Sequence, residues 1–219
     1  MPNIFLQMNF LAHLYLSGED EGLKLGNFIG DYIKGSKYLN YPPNIQKGII
    51  LHRRIDSYTD NHRLFREASK LFRQGYGRYS GIVLDLVFDH FLALNWGEYS
   101  YYKLRDFVNN THKLLLANFR ILPLRVKKFL PVFIYNRRLE SYSTKQGIYR
   151  ALELMSRYTS LPRNPDYAVS ILKKENTALK ETFFLFMTDI INYVESESAI
   201  KISRPGDRKP NSGTSFHAV

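Results

Sequence analysis

Five pairs of polar residues in the first ninety positions share a spacing of four: Asn9 with His13, Asn27 with Asp31, His52 with Asp56, Asp56 with Asp60, and Asp85 with Asp89, with Lys34 beside the first acidic set. On a helix that spacing stacks both side chains on one face, about one turn apart. The surroundings are apolar, as with Phe10, Leu11, Ala12 and Leu14 around His13, or Leu84, Leu86, Val87 and Phe88 around Asp85 and Asp89. Burying so many carboxylates and imidazoles in an apolar bundle is unfavourable unless they meet each other or a cation. A metal-centred site meets that condition. The chain has no cysteine, so His, Asp and Glu must supply the ligands. Such a set favours a hard ion, Mn²⁺ or Mg²⁺, while imidazole leaves Fe²⁺ and Zn²⁺ open.

Each residue also has a plainer reading. A single buried His or Asp is commonly a hydrogen-bonded structural group, and Asp85 reads as an exposed or helix-capping acid, which keeps it outside the set. His13 and His90 are divided between supporting a ligand, acting as general acid and packing. Arg53 and Arg54 flank His52, and because helical neighbours diverge by about 100° at most one faces the site. Arg53 is the choice, since it precedes Asp56 by three and Asp60 by seven. Its planar, permanent charge suits phosphate oxygens; a salt bridge to one of those acids is the alternative.

The elements that must hold these residues all read as helices. A first runs from Asn9 to Leu16 and stops at Ser17 and Gly18, and a second from about Glu21 to Lys34, ended by Gly35 in a left-handed cap. Pro42 and Pro43 open a third, carrying Ile45 to Tyr58. Asp60 caps a fourth through Phe72, broken by Gly75 to Gly77. Others are expected over Ser80 to Leu94, Ser100 to Asn118 and Thr144 to Arg157, with Pro123 and Pro131 dividing the segment between the last two into two short helices. One long helix should run from Asn164 and Pro165 to Val194 on an apolar stripe that includes Ile171, Leu179, Phe183, Phe186 and Ile190. No strand alternation and no repeat is visible. The expected fold is therefore all-α and single-domain, with a leader at 1–7, a helical domain at 8–196, and a disordered tail at 197–219 that lacks apolar periodicity from Ser203 onward.

Four ordered blocks carry a resemblance: Met8 to Leu16 (MNFLAHLYL), Gly26 to Gly35 (GNFIGDYIKG), His52 to Asp60 (HRRIDSYTD) and Asp85 to Leu92 (DLVFDHFL) followed by Trp96. In this order and spacing the chain resembles the acyl carrier protein phosphodiesterase family over about Met8 to Val194. The resemblance implies a helical bundle related to the HD-type metal phosphohydrolases. It further implies hydrolysis of the phosphodiester joining 4′-phosphopantetheine to a carrier-protein serine, with Mn²⁺ as cofactor. Under that reading Asp31, His52, Asp56 and Asp89 face the metal, Asp31, His90 and His13 act in catalysis, and Arg53 and Asn27 meet the substrate phosphate. One departure stands out. HD enzymes take their name from an adjacent His-Asp pair, whereas the adjacent pair here is Asp89 and His90 in reverse order, so ligands cannot be transferred one for one.

Charge narrows the partners. A net charge of +11 and a pI near 9.7 point to an acidic partner, be it nucleic acid, protein or membrane surface. Between Asn109 and Leu139 the chain has Lys113, Arg120, Arg125, Lys127, Lys128, Arg137 and Arg138 with no Asp or Glu. That run is either a solvated face or, as the resemblance implies, a docking surface for an acidic acyl carrier protein through Arg125, Lys127 and Lys128. Interleaved Phe119, Phe129, Phe133 and Tyr135 are better suited to the core than to stacking on nucleic acid. No stretch has the length of a membrane helix and no signal-peptide pattern is present. A cytoplasmic location is the default. Two other readings stay open: an HD-like phosphohydrolase acting on a nucleotide, and a non-catalytic basic helical binding module.

Overall fold

The computed structural model describes residues 10–207, and every regular element among them is helical. The leader and Asn9 lie outside the described residues. Helix α1 covers Phe10–Tyr15, α2 Glu21–Ile29, α3 Pro43–Asn61, α4 Arg63–Ser69, α5 Arg73–Tyr76 and α6 Ser80–Leu94. After these come α7 (Leu104–Ala117), α8 (Leu124–Tyr135), α9 (Arg138–Ser141), α10 (Lys145–Tyr158), α11 (Pro165–Lys174) and α12 (Asn176–Ser198). No helix among the described residues is long and apolar enough to cross a membrane.

Helix α6 is the hub. It is apolar nearly all round and buries Val83, Leu84, Leu86, Val87, Phe88, Phe91 and Leu92, so it must be wrapped on every side. Helices α1, α4, α10 and α12 pack around it. Against that core lies the pair α2 and α3, started by an Asp20 cap that accepts the Leu23 N–H at 2.8 Å and by Pro43 in the first turn. Gly26 and Gly48 face each other where these two helices cross. A Cβ on Gly26 would come within 2.1 Å of the Ile45 carbonyl and 2.8 Å of the Gly48 Cα. Two missing side chains therefore let the backbones touch and bring the polar residues of both helices together.

Several boundaries differ from expectation, each with a local cause. Helix α2 stops at Ile29, and Gly30–Tyr32 form a 3₁₀ turn that leads into extended Ile33 and Lys34. Asp31 thus sits on a turn, not one helical step above Asn27, and Gly35, at φ 59°, follows an extended segment instead of capping a helix. Helix α3 runs on through Asp60 to Asn61, and His62 starts α4. Pro131 lies inside α8. That helix ends one turn later, so the single N–H that proline lacks does not break it. The long C-terminal helix is two helices, parted at Glu175. The tail expected to be disordered from 197 is packed as far as Asp207: Ile202 is fully buried, its N–H reaches Glu195 at 3.0 Å, and Arg204 pairs with Glu195. The rest of the tail lies outside the described residues.

Candidate metal centre

Helix α3 presents His52 and Asp56 on one face, as their spacing requires, and α1 brings His13 beside them. The His52 ring lies flat against Gly30, where a Cβ would come within 2.3 Å of it. Glycine at that position is what allows His52 to approach the Asp31 turn. The rings of His13 and His52 stand 4.3 Å apart. Both are buried, with side-chain exposures of 3% and 6%, while Asp31 and Asp56 open partly to solvent at 15% and 25%.

The orientation of both imidazoles is dictated by Asn27. Its Nδ2 donates to the His13 carbonyl at 2.8 Å and to Ser17 Oγ at 2.9 Å, and Ser17 Oγ itself donates to that carbonyl. A carbonyl only accepts, so the amide oxygen must face the other way, and there Oδ1 meets Nδ1 of His13 at 2.7 Å and Nδ1 of His52 at 3.1 Å. An amide oxygen also only accepts. Both Nδ1 atoms therefore carry the proton, and a neutral imidazole so held presents a bare lone pair at Nε2.

Those Nε2 atoms point at carboxylates. His13 Nε2 lies 3.3 Å from Asp56 Oδ1, and His52 Nε2 lies 3.1 Å from Asp31 Oδ1 and 3.3 Å from Asp56 Oδ2. Neither Nε2 has a well-formed hydrogen bond, although both are buried. Lone pairs facing anions repel unless a proton or a cation stands between them. In the metal-free protein the proton serves: burial pulls the His52 pKa down, but contacts with Asp31 and Asp56 outweigh it and hold it at about 10. Burial likewise pushes Asp56 up, and His13 and His52 outweigh that too, keeping the carboxyl well below its ordinary range. One ligand atom each from His13, His52 and Asp56 falls within a span of 4.8 Å, the convergence a cation needs. The donor set fits a divalent ion.

Other expected site residues are placed differently. Asp89 does not join the cluster: its two oxygens accept the N–H groups of Leu11 at 3.1 Å and Ala12 at 2.9 Å, at the start of α1. Burial pushes its carboxyl up to about 8 against the pull of those two donors. His90 faces away as well, donating from Nδ1 to the Tyr142 carbonyl at 2.6 Å. Asn27 is wholly buried and its amide is committed to the histidines and Ser17, so it orients the two imidazoles and has no exposed polar atom to offer a phosphate. Arg53 donates to the carbonyls of Ile33 and Gly35, both at 2.9 Å, and lies over Tyr38. It ties down the segment after Asp31, and among the described residues it forms no salt bridge to Asp56 or Asp60.

Asp85 was the omission. It lines a small cavity with His13 and Thr59, and its carboxyl is raised well above the usual range by burial and then by Asp56, Asp89, Asp60 and Asp31. The i,i+4 spacing marked Asp85 and Asp89 alike, but on a helix buried all round it could not say which faced the cluster. In the basic run, Arg125 and Lys128 border one groove while Lys127 turns to the Arg120 carbonyl at 2.8 Å and to Phe119. The three expected docking cations do not share a face.

Comparison with known proteins bears on this arrangement. The family described as acyl carrier protein phosphodiesterase matches residues 8–190, which takes in α1 to α6 and most of the remaining fold. The chain belongs to that family. Proteins named acyl carrier protein phosphodiesterase from Yersinia pestis and from Yersinia enterocolitica serotype O:8 / biotype 1B are 36% and 35% identical over 150 residues, covering 68% of this chain and 78% of theirs. The protein of that name from Salmonella agona is 36% identical over 153 residues, with the same coverage. No solved structure matches the chain. The family match spans His13, Asn27, Asp31, His52, Asp56 and Asp85 together.

Proposed function

We propose that this protein is a metal-dependent phosphodiesterase that hydrolyses the bond between 4′-phosphopantetheine and the serine of holo-acyl carrier protein, releasing the apo form. Family membership supports the substrate. The observation that carries the metal dependence is the pair of buried Nε2 lone pairs turned onto Asp31 and Asp56 by a single amide, an arrangement that is repulsive without a cation or protons. His13, His52 and Asp56 would hold the ion with Asp31 beside them, and Mn²⁺ is the preferred metal, with Mg²⁺ or Fe²⁺ compatible with the same donors. When bound, such an ion neutralises the phosphodiester charge and acidifies water.

The chain's own residues do the positioning. Asn27 holds both imidazoles in the Nδ1–H tautomer, the task that second-sphere groups perform at metal sites. Arg53 fixes the Ile33 to Gly35 segment that follows Asp31. Asp31 and Asp56 are the groups of the cluster that reach solvent, so an incoming phosphate meets the site over them. Arg125 and Lys128 offer charge to an acidic carrier protein. The bundle is read as HD-like, with His13 taking the place expected of a carboxylate, and a cytoplasmic location accords with the substrate.

Mass spectrometry of holo-acyl carrier protein incubated with this protein tests the proposal. With Mn²⁺ the carrier should lose the mass of phosphopantetheine, chelation should stop the loss, and added Mn²⁺ should restore it. A carrier of unchanged mass, beside a nucleotide phosphodiester that is hydrolysed, would reassign the substrate.

A further inference from the structure

Along α8 runs a groove of about 510 Å³ whose walls include Phe10, Leu124, Phe129, Val132 and Phe133, with Asn136 and Arg138 among its polar lining. Such a volume is that of a small-molecule site. Two of its walls belong to the elements of the metal centre: Phe10 lies three residues before His13 on α1, and Tyr32 follows Asp31 on the 3₁₀ turn. Phe10, Phe129 and Phe133 pack ring against ring at 5.4 to 6.0 Å, which makes the floor rigid. The far end is open. Leu124 is 69% exposed and Val132 53%, and Arg125 and Lys128 stand on the same rim. Apolar side chains gathered in this way on a basic, otherwise polar surface mark a ligand surface.

We propose that this groove receives the fatty-acyl chain of an acyl-loaded carrier protein, so that the enzyme distinguishes acyl from unloaded substrate at a site separate from the one where the phosphodiester reacts. The inference rests on the phosphodiesterase reading above. Its occupant follows from three features: an apolar floor, walls at Phe10 and Tyr32 carried by the same elements as the metal centre, and a cationic rim complementary to an acidic carrier. The chain is tethered to the reacting phosphate through the pantetheine arm, so it can enter only a groove within that arm's reach of the centre. Each methylene taken fully from water is worth about fourfold in affinity, and an open groove delivers part of that.

The test compares unloaded and dodecanoyl-loaded acyl carrier protein as substrates for the wild type, for Val132→Trp, which fills the groove, and for Leu124→Asp, which makes its mouth polar. Both positions are exposed, so folding is retained, and circular dichroism checks this. The wild type should show a KM at least about tenfold lower for the dodecanoyl form. In each variant that advantage should shrink to about twofold or less, with kcat and KM on unloaded carrier unchanged. Titration with cis-parinaric acid, read by its fluorescence, gives a second measure that needs no turnover: saturable binding in the wild type, weakened at least about tenfold in Val132→Trp. Equal KM for the two carriers in the wild type, or an acyl preference that survives both substitutions, overturns the proposal even if parinarate binds. If neither carrier is cleaved the phosphodiesterase reading fails instead, and absence of parinarate binding would then remove the groove as well.

Discussion

Two sets of buried imidazole and carboxylate lie in the same core and are wired in opposite ways. On α6, Asp89 meets only donors among the described residues, the N–H groups that open α1, and His90 gives its Nδ1 proton to a carbonyl. Between α1, α2 and α3, His13 and His52 also give their Nδ1 protons away, both to Asn27, but their Nε2 atoms then confront Asp31 and Asp56. The Asp89 contacts are complete within the chain. The His13 and His52 contacts become favourable only when protons or a metal ion fill the gap. Residue type and burial are alike in the two sets, and His90 leaves a buried Nε2 without a partner just as His13 and His52 do, so what separates a functional cluster from a structural one is what that atom faces.

Substitutions should split the two sets, beginning with the ligands. Asp56→Ala and His52→Ala are expected to lower turnover by more than about 100-fold, beyond the 10- to 100-fold that supporting groups usually cost, while circular dichroism stays helical. An Asp56→Ala enzyme within tenfold of wild type at saturating Mn²⁺ would place the metal elsewhere. Asn27→Ala comes next. By freeing both imidazoles to rotate it should weaken Mn²⁺ binding by about 10- to 100-fold, measured by calorimetry, and an unchanged affinity would show that the rings are held by packing alone.

Asp89→Asn should behave in the other manner. The amide group can accept one of the two N–H bonds but opposes the other with its own donors, so unfolding free energy should fall by about 1 to 3 kcal/mol. Urea titration measures this. Turnover per folded molecule should change much less than in Asp56→Ala, and a loss as large as that variant's, without loss of stability, would return Asp89 to the active centre.

The smallest expected difference is in pH dependence. His52 has a folded-state pKa of about 10, above the roughly 6.5 of an unfolded histidine. Its stabilisation is thus complete below pH 6.5 and fades as pH climbs toward 10. Asp89, at about 8 against roughly 3.9 unfolded, withdraws its contribution over the lower window from about 4 to 8. Thermal melts of metal-free protein should show the upper window vanish in His52→Ala and the lower one in Asp89→Asn, each by a few degrees. Identical profiles in all three proteins would mean that these groups do not titrate with folding.

Where local chemistry decides, the sequence was a good guide. Pro42 and Pro43 start α3 where expected, α6 has the expected bounds of Ser80 to Leu94, and His52 and Asp56 share a face. Tertiary contact decided the rest. The 3₁₀ turn at Gly30 packs against His52, a contact 22 residues away in sequence. Helix α6 is buried on all sides, which erases the periodicity that would have ranked Asp85 above Asp89. Ile200 and Ile202 anchor the tail, and two apolar residues are too few to show a period. His13 was visible as a candidate but not as a ligand, because its place depends on how α1 meets Asn27.

If His13, His52 and Asp56 form a divalent-metal site that Asn27 preorganises, the stripped protein must take up the ion through them. Isothermal titration of the chelator-stripped protein with Mn²⁺ at pH 7, beside His13→Ala, tests it most directly. The wild type should bind saturably, with protons released as His52 gives up its own, and His13→Ala should lose at least about 100-fold in affinity. Wild-type protein that takes up no Mn²⁺, Mg²⁺ or Fe²⁺, or a His13→Ala variant that binds Mn²⁺ as tightly as wild type, would contradict it.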